Sequence, residues 1–292
     1  MPMSFQLVYA IDAACLELAA LSFISVCLHS RPVSLRVLTP KGVDTALLQQ
    51  LAELMTVSFL HQQLPQHTPL QRLAAPLQPY FYCLEALSTS MPGPMLLLDA
   101  DTLCVADLSP LTTFKLTANY PIAACSHHRP MPDRQLALQL LSPFHYINAG
   151  VLLADPLHLA SHFSVNDAVR FFEQQSPLCR FREQCVLNHM LAGRFQHLPA
   201  RYNLLSWMRY RARRSPWQNQ AVNPMASVLP EERHHAAIVH FSNGCLPHHL
   251  PWHQRDHFDR YWLQLHRCLQ RWRQGGGPMP PQWPRFEPMC SR

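Results

Sequence analysis

Charged side chains are scarce in this chain, and lysine is almost missing. Of the 292 residues only 14% are Asp, Glu, Lys or Arg, and Lys41 and Lys115 are the only lysines, so arginine carries nearly all of the positive charge. Arginine recognises phosphate and carboxylate groups through paired hydrogen bonds. The net charge of +6 is modest, and no nucleic-acid-binding motif is visible. We therefore expect no nucleic-acid partner.

The sequence also lacks the patterns of disulfide-rich, zinc-binding and membrane-spanning proteins. Its ten cysteines include no C-x-x-C pair and have no regular spacing, which predicts buried thiols in a reducing compartment. No apolar run is long enough to cross a bilayer. The apolar N-terminal region is interrupted by Asp12 and Glu17 and has no basic segment before it, so it is not predicted as a signal peptide. These features predict a cytoplasmic protein.

The first hundred residues alternate between β-prone runs and apolar helical patterns, and 48% of the chain is hydrophobic, enough for a substantial core. We expect strands at residues 5–10, 34–38, 56–60 and 95–98, and helices at residues 16–28, 45–55 and 77–87. This alternation predicts an α/β fold with a parallel sheet wrapped by helices.

The pattern is less regular after residue 101. We expect strands at residues 122–125, 146–154, 195–199 and 237–241, and helices at residues 133–141, 168–175 and 183–191. A long polar loop at residues 209–233 separates the last two strands. We divide the chain into a sheet domain, residues 1–252, and an extension, residues 253–292, that contains an amphipathic helix and a Pro-rich tail.

Two carboxylates, Asp99 and Asp101, follow the apolar run at residues 95–98. Such a run predicts a buried strand, and ligands of open α/β sheets bind beyond the carboxyl ends of the strands. Two oxygen ligands there can hold a divalent cation, which can neutralise a diphosphate. The alternative is an acidic turn without an ion, because Asp-x-Asp pairs also occur by chance.

Five short blocks follow one another along the chain. They are residues 7–12 (Leu-Val-Tyr-Ala-Ile-Asp), 97–103 (Leu-Leu-Asp-Ala-Asp-Thr-Leu), 146–153 (Tyr-Ile-Asn-Ala-Gly-Val-Leu-Leu), 183–188 (Glu-Gln-Cys-Val-Leu-Asn) and 240–244 (His-Phe-Ser-Asn-Gly). In order and spacing they resemble family 8 of the retaining glycosyltransferases. The resemblance covers about residues 5–252. It implies a GT-A (Rossmann-like) fold and a metal-dependent transferase that moves a hexose from a nucleotide sugar, usually a UDP-sugar, to a glycan or lipopolysaccharide-type acceptor.

The resemblance also implies roles for individual residues. The metal ligands would be Asp99, Asp101 and His240, and the imidazole favours Mn²⁺ over Mg²⁺ because Mg²⁺ prefers oxygen alone. Without the resemblance, His240 is interpreted as a core histidine and Asn148 as a turn residue that satisfies its own backbone. The residues implied to contact the donor are Ala10, Asp12, Asp99, Ala100, Asn148, Ala149 and Gly244.

Glu183 and Gln184 match the first two positions of a family block, Asp-Gln-Asp, whose members lie near the anomeric carbon, while Cys185 replaces the third. By resemblance, Gln184 and Glu183 are the candidate catalytic residues. Glu183 also opens a predicted helix, whose dipole would stabilise a carboxylate without any catalytic role. No second carboxylate pair marks a nucleophile of the kind retaining glycosidases use, so we favour a front-face mechanism over double displacement.

The sequence departs from the family pattern where the donor is contacted. The departures leave the donor sugar open, together with two alternatives: a non-catalytic relative that binds a nucleotide or glycan, and a polyanion-binding interaction module. Where the family has Asp-Asn-Tyr, Tyr-x-Arg, Lys-Pro-Trp and an acidic residue, this chain has Ala13-Ala14-Cys15, Tyr80-Phe81-Tyr82, Leu250-Pro251-Trp252 and His127.

Arginines cluster at the start of the long loop. They form either a solvated basic surface or a site for an anionic acceptor, such as a lipopolysaccharide core. The arginines concerned are Arg201, Arg209, Arg211, Arg213 and Arg214.

Residues 255–274 predict an amphipathic helix. Its apolar face either packs on the sheet domain or lies among lipid headgroups. In the second case Trp283 and Phe286 of the tail add to the contact, and the enzyme works on the inner face of the membrane, where lipid-linked acceptors are made. The apolar face comprises Phe258, Tyr261, Trp262, Leu265, Leu269 and Trp272, and the opposite face carries Arg260, Arg267 and Arg271.

Overall fold

The computed structural model describes residues 5–89, 93–127, 138–140, 145–162, 164–209, 235–242 and 246–287, without the side chain of residue 207. Ten strands form within these residues. In chain order they are β1 (Gln6–Ala10), β2 (Ser34–Thr39), β3 (Ser58–Gln63), β4 (Met95–Leu98), β5 (Thr102–Cys104), β6 (Ile122–Ser126), β7 (Ile147–Ala154), β8 (Phe195–Leu198), β9 (Leu204–Leu205) and β10 (Ile238–His240).

Seven strands form the main sheet, in the order β3-β2-β1-β4-β7-β6-β8. All neighbours are parallel except β7, which runs antiparallel to both β4 and β6. Leu98 of β4 pairs with Val151 of β7, and the Asp99 N–H donates to the Gly150 carbonyl at 2.9 Å. The reversal of β7 therefore brings its first residues beside the carboxyl end of β4.

A smaller sheet, in the order β5-β10-β9, lies after the Asp99–Asp101 turn. β10 is antiparallel to β5, with His240 opposite Thr102, and parallel to β9. The N–H of Phe241 donates to the Asp101 carbonyl at 2.9 Å. These bonds hold the end of β10 against the turn that follows β4.

Helices cover both faces of the main sheet, because residues along each strand point alternately to the two sides. Leu96 and Leu98 pack in one apolar cluster with the first two helices and the last one, and Met95 and Leu97 pack in the other with four central helices. The helices are α1 (Leu16–His29), α2 (Ala46–Leu54), α3 (Gln78–Ser88), α4 (Pro156–Leu159), α5 (Val165–Gln175), α6 (Arg182–Leu191), α7 (Ser206–Arg209) and α8 (His257–Arg273).

The predicted mostly parallel sheet is confirmed, and most element boundaries differ by a few residues. β3 starts later than predicted because Thr56 adopts a positive φ of 58° and turns the chain after α2. The helix predicted at residues 133–141 lies largely outside the described residues, and residues 138–140 are not helical. Arg209 ends a short helix, α7, and does not belong to the predicted loop; residues 210–234 lie outside the described part of the chain.

The C-terminal helix α8 packs on the sheet domain. Asp256 caps it in a capping box with Asp259, and its apolar side chains Phe258, Trp262 and Leu265 are buried in the cluster that contains α1. Phe286 of the tail stacks on Phe258 with ring centroids 5.2 Å apart. The predicted headgroup contact through this face is therefore wrong, because the same side chains are already buried in protein.

None of the helices in the described part of the chain is both long enough and apolar enough to cross a bilayer. The division of the chain at residue 252 stays a prediction.

Candidate active site

Asp99 and Asp101 lie in the turn that joins β4 to β5. The Thr102 hydroxyl donates to the Asp99 carbonyl at 2.9 Å, and it also shares a 2.7 Å hydrogen bond with the hydroxyl of Ser22 on α1. The buried Thr102 thus fixes the turn to α1 on the core side, while the two carboxylates point toward solvent. The side chain of Asp99 is 51% exposed and that of Asp101 26%. Both carboxylates are accessible to a ligand from the solvent side.

His240 lies beside this turn and faces both carboxylates. Its Nε2 lies 3.2 Å from Asp101 Oδ1 and 3.6 Å from Asp99 Oδ2, and its ring is buried. One ligand atom from each of the three residues lies within 4.8 Å of the other two, a grouping that no other His, Cys, Asp and Glu residues in the described ranges form. The pairing of β10 with β5 produces this approach across about 140 residues of sequence separation.

The three groups perturb one another's protonation. Burial lowers the pKa of His240, but the charge and hydrogen bond of Asp101 and the charge of Asp99 outweigh burial and raise it. Burial raises the pKa of Asp101, yet the His240 charge and hydrogen bond leave it below its usual value. Burial also raises the pKa of Asp99, which His240 opposes and Asp101 reinforces. A shared proton on His240 therefore offsets part of the negative charge.

Gly150 makes the close packing of this site possible. A Cβ at this position would lie 2.1 Å from Cε1 and 2.6 Å from Nδ1 of His240, and 2.8 Å from Oδ2 of Asp99. Real Cβ atoms do not approach other atoms so closely, so any larger residue would displace the imidazole or the carboxylate. The Gly of the Asn-Ala-Gly block is thus explained by the space that His240 needs.

Asn148, Ala149 and Gln184 form the adjoining wall. The Gln184 Oε1 accepts hydrogen bonds from Asn148 Nδ2 at 2.9 Å and from the Ala149 N–H at 3.2 Å. Asn188, one turn later on α6, exchanges two hydrogen bonds with the backbone of Ile147, at 2.8 and 2.9 Å. The start of α6 is therefore joined to the start of β7 by amide hydrogen bonds.

Glu183 precedes Gln184 and lies near Asp99. Burial raises the pKa of Glu183 well above its usual value, and the charge of Asp99 adds to the effect. Cys185 is fully buried, with its sulfur 3.1 Å from the Tyr146 hydroxyl. The residue that replaces the third member of the family block therefore faces the core and not the ligand.

The end of β1 borders the same cleft. Asp12 caps the 3₁₀ turn Ala13–Cys15 by accepting from the Cys15 N–H at 3.1 Å. Burial and then the charges of Asp12, Asp101 and Asp99 raise the pKa of the Cys15 thiol to about 12. The charges of all three carboxylates therefore act on this thiol at the end of β1. Ala100, between the two aspartates, is nearly buried. The predicted donor residue Gly244 lies outside the described residues.

The sequence matches the model of glycosyl transferase family 8 over residues 81–256, more than half of the chain. The chain belongs to this family. No curated protein matches the sequence.

Solved structures of glycosyltransferases share the fold. Galactosyltransferase LgtC, crystallised with donor and acceptor sugar analogs, is 17% identical, with a TM-score of 0.69 over 92% of this chain and 99% of LgtC. Glycosyltransferase GlyE of Streptococcus pneumoniae is 18% identical, with a TM-score of 0.65 over 95% of this chain and 65% of GlyE. Mouse xyloside xylosyltransferase 1 is 15% identical, with a TM-score of 0.51 over 83% of this chain and 99% of that one. The chain is a glycosyltransferase with the GT-A fold.

Several departures from the family 8 pattern have structural explanations. Tyr82, where the family often has Arg, is buried, and burial followed by the charge of Asp12 raises its pKa. The guanidinium of Arg182 lies 3.9 Å above the ring of Tyr80, which brings a cation to this wall from α6. The N–H of His127 donates to the Tyr146 carbonyl at 2.8 Å, so its backbone continues the pairing of β6 with β7.

Arg209 is not part of an acceptor surface. Its side chain has no exposed area, and its Nη2 lies 2.7 Å from Asp256 Oδ1 and 2.6 Å from Asp259 Oδ1. Arg201 is partly buried, with its guanidinium 5.2 Å from the ring centroid of Tyr202. The other three arginines of the predicted surface lie outside the described residues.

Asn203 is a site residue that the sequence did not indicate. It follows a 3₁₀ turn after β8, where the sequence has no recognisable motif. Its Nδ2 donates to Asn148 Oδ1 at 2.7 Å, and its Oδ1 lies 3.0 Å from His240 Nδ1. The one signal in the sequence was Asn148. A buried amide at the start of a strand needs hydrogen-bond partners, and a second amide nearby can be one of them.

Proposed function

We propose that this glycosyltransferase is metal-dependent and retaining, and that it moves a hexose from a UDP-sugar to a glycan or lipopolysaccharide-type acceptor. The observation that carries the proposal is the meeting of Asp99, Asp101 and His240, with ligand atoms within 4.8 Å of one another, beyond the carboxyl end of β4. Ligands of open α/β sheets bind at this edge.

The donor set of the site supports a divalent cation. Two carboxylate oxygens and one imidazole nitrogen favour Mn²⁺ over Mg²⁺. The ligands would be Asp99, Asp101 and Nε2 of His240, which already faces both carboxylates. The ion would neutralise the diphosphate that leaves during transfer.

The residues around the ion are proposed to bind the donor. The end of β1, with Ala10 and Asp12, and the backbone at Ala100 would contact the nucleotide. Asn148 and Ala149 would face the sugar, and Gly244 would let the backbone approach the diphosphate closely. Ala13-Ala14-Cys15 stands where the family pattern has the residues that contact the base.

Gln184 and Glu183 are the proposed catalytic residues. In a front-face reaction the acceptor oxygen bonds to the anomeric carbon, the bond from that carbon to the phosphate oxygen breaks, and the phosphate oxygen takes the acceptor proton. Gln184 would support the sugar face. Burial and the charge of Asp99 raise the pKa of Glu183, and in its protonated form it could donate a hydrogen bond to a sugar hydroxyl.

The residues proposed to contact the acceptor are chosen by their charge. Arg211, Arg213 and Arg214 would meet phosphate or carboxylate groups of an acceptor, without the buried Arg209. Contact with an anionic membrane would have to use the outward arginines of α8, such as Arg267, since its apolar face is buried.

A screen of nucleotide sugars for Mn²⁺-dependent hydrolysis, combined with calorimetry of UDP, tests the proposal. We expect one donor to be hydrolysed and UDP binding to require Mn²⁺. Mn²⁺-dependent UDP binding without hydrolysis or transfer of any sugar would favour the non-catalytic alternative, which the altered residues 13–15 support. UDP binding with the same affinity in the presence and in the absence of Mn²⁺ would contradict the proposal.

A further inference from the structure

Four buried side chains form a continuous line of hydrogen bonds from the metal site to α6. His240 Nδ1 lies 3.0 Å from Asn203 Oδ1, and Asn203 Nδ2 donates to Asn148 Oδ1 at 2.7 Å. Asn148 Nδ2 donates in turn to Gln184 Oε1 at 2.9 Å. All four side chains are at least nine-tenths buried. Buried amides must satisfy both their donors and their acceptors within the protein.

Two backbone N–H groups fix the direction of this line. The Gly150 N–H donates at 3.0 Å to Asn148, so the atom there must be the oxygen and not the nitrogen of the amide. The Ala149 N–H donates at 3.2 Å to Gln184, which fixes that amide in the same way. A backbone N–H cannot become an acceptor, so turning either amide over would set donor against donor. The amide orientations therefore follow from the backbone of β7.

The orientation of these two amides determines the orientation of the Asn203 amide and, through it, which nitrogen of His240 carries a proton. Because Asn148 presents its oxygen, Asn203 must present its NH₂ group to Asn148 and its oxygen to His240. The ring nitrogen facing an amide oxygen must carry a proton, so Nδ1 of His240 keeps its hydrogen when a cation replaces the proton on Nε2. Without a cation, Nε2 lies in hydrogen-bonding distance of Asp101, at 3.2 Å; with one, its lone pair points between Asp101 and Asp99.

We propose that Asn203 is a positioning residue that holds His240 in the Nδ1–H tautomer, with its Nε2 lone pair directed to the metal site. The inference deepens the proposed function, since it rests on His240 being a metal ligand. Groups that bond the second nitrogen of a ligating histidine fix its tautomer and its ring orientation, and their loss costs about 10- to 100-fold in metal affinity. Asn203 would act through His240 and would not touch the ion or the substrate.

The side chain of Asn203 does not hold its own turn together. The 3₁₀ turn Ala200–Tyr202 is closed by the backbone, with the Asn203 N–H donating to the Ala200 carbonyl at 3.0 Å. A substitution of the side chain can therefore be separated from a collapse of the turn.

The first measurement uses the unmodified protein. Nitrogen-15 NMR of metal-free protein reports whether Nδ1 of His240 carries a proton, and His240→Gln identifies the signal. We expect a proton on Nδ1, whether or not Nε2 also carries one. A bare Nδ1 in this protein, the Nε2–H tautomer, would overturn the proposal without any test of Asn203.

The second measurement compares variants by titration with Mn²⁺ alone. Asn203→Ala should yield a mixture of tautomers and weaken Mn²⁺ binding about 10- to 100-fold. Asn203→Asp keeps an oxygen toward Nδ1 and should restore the proton on Nδ1, but only part of the affinity, because its second oxygen faces the Asn148 oxygen without a hydrogen to donate. Asn119→Ala, at an exposed asparagine in the turn before β6, is the control and should change neither. An Asn203→Ala protein with unchanged tautomer or unchanged Mn²⁺ affinity would overturn the proposal.

The two proposals fail in different ways. If the unmodified protein does not bind Mn²⁺ but His240 is in the Nδ1–H tautomer and changes in Asn203→Ala, the metal assignment fails and the positioning by Asn203 stands. If Mn²⁺ binds normally but the tautomer is Nε2–H, only the role of Asn203 fails.

Discussion

Two clusters, each of one basic and two acidic side chains, differ in what balances their charge. His240 meets Asp99 and Asp101 at the open cleft. Arg209 meets Asp256 and Asp259 inside the protein, with its guanidinium 4.9 Å from the ring centroid of Phe241. The first cluster has exposed carboxylates and a base that can give up its proton. The second is shielded and has a permanent cation.

This difference separates a binding cluster from a structural one. Arg209 cannot lose its charge, so the carboxylates around it are already neutralised and have no use for an ion. His240 can become neutral, so the carboxylates beside it are free to take a divalent cation instead of a proton. Similar residues are thus proposed to bind an ion in one place, and stabilise helix packing in the other.

The largest expected effect comes from breaking the structural cluster. Arg209→Leu leaves Asp259 buried without its cation and should cost about 3–5 kcal/mol of unfolding free energy. For a chain of this size the melting temperature should fall by roughly 10 °C. Thermal unfolding measures this, with Arg267→Leu, on the exposed side of α8, as the control. A loss no larger than that of the control would show that the pair is not structural.

Breaking the open cluster should instead remove binding and spare stability. Asp101→Ala should weaken Mn²⁺-dependent UDP binding at least about 100-fold, or roughly 2.7 kcal/mol. The melting temperature should stay or rise, since one of two neighbouring carboxylates is gone. Calorimetry with UDP and Mn²⁺ tests this against Glu53→Ala, an exposed carboxylate on α2. Unchanged UDP affinity would refute the assignment of Asp101 to the metal.

Within the cleft, Gln184 is expected to contribute to catalysis more than to donor binding. Gln184→Ala should lower turnover about 10- to 100-fold while donor affinity changes little, because its contact with the sugar would matter mainly in the transition state. Steady-state kinetics and UDP calorimetry, with Gln50→Ala on the surface as control, separate the two effects. A loss of donor affinity with turnover intact would reassign Gln184 to binding.

The smallest effect concerns the packing of α8 and the tail. The Phe286 N–H donates to His29 Nε2 at 3.2 Å, and burial, followed by the charge of Arg285, lowers the pKa of His29 to about 4. A folded-state pKa below the unfolded value means that stability is full above about pH 6.5 and is lost as pH falls toward 4.

Between pH 7 and pH 5 this histidine should account for about 1–2 kcal/mol of lost stability. His29→Gln should flatten that part of the profile in denaturant unfolding, whereas His253→Gln removes an exposed histidine as a control. An unchanged profile in His29→Gln would assign the acid sensitivity elsewhere.

Local sequence patterns predicted most of the elements and the turn that carries Asp99 and Asp101. The strands and helices of the first hundred residues follow from apolar periodicity, which depends on near neighbours. Asp99 and Asp101 could be recognised because they directly follow a buried strand. His240 and the Asn-Ala-Gly block entered through a family resemblance, since nothing in their local context distinguishes them from a core histidine and a turn.

Long-range pairing decided the rest. The antiparallel direction of β7 brings Gly150 against Asp99, and the pairing of β10 with β5 brings His240 to Asp101. Asn203 directly precedes β9, and the pairing of β9 with β10 brings it between His240 and Asn148. The amphipathic pattern of α8 did not reveal whether its apolar face meets lipid or protein, because hydrophobic periodicity records that a face is buried and not what covers it.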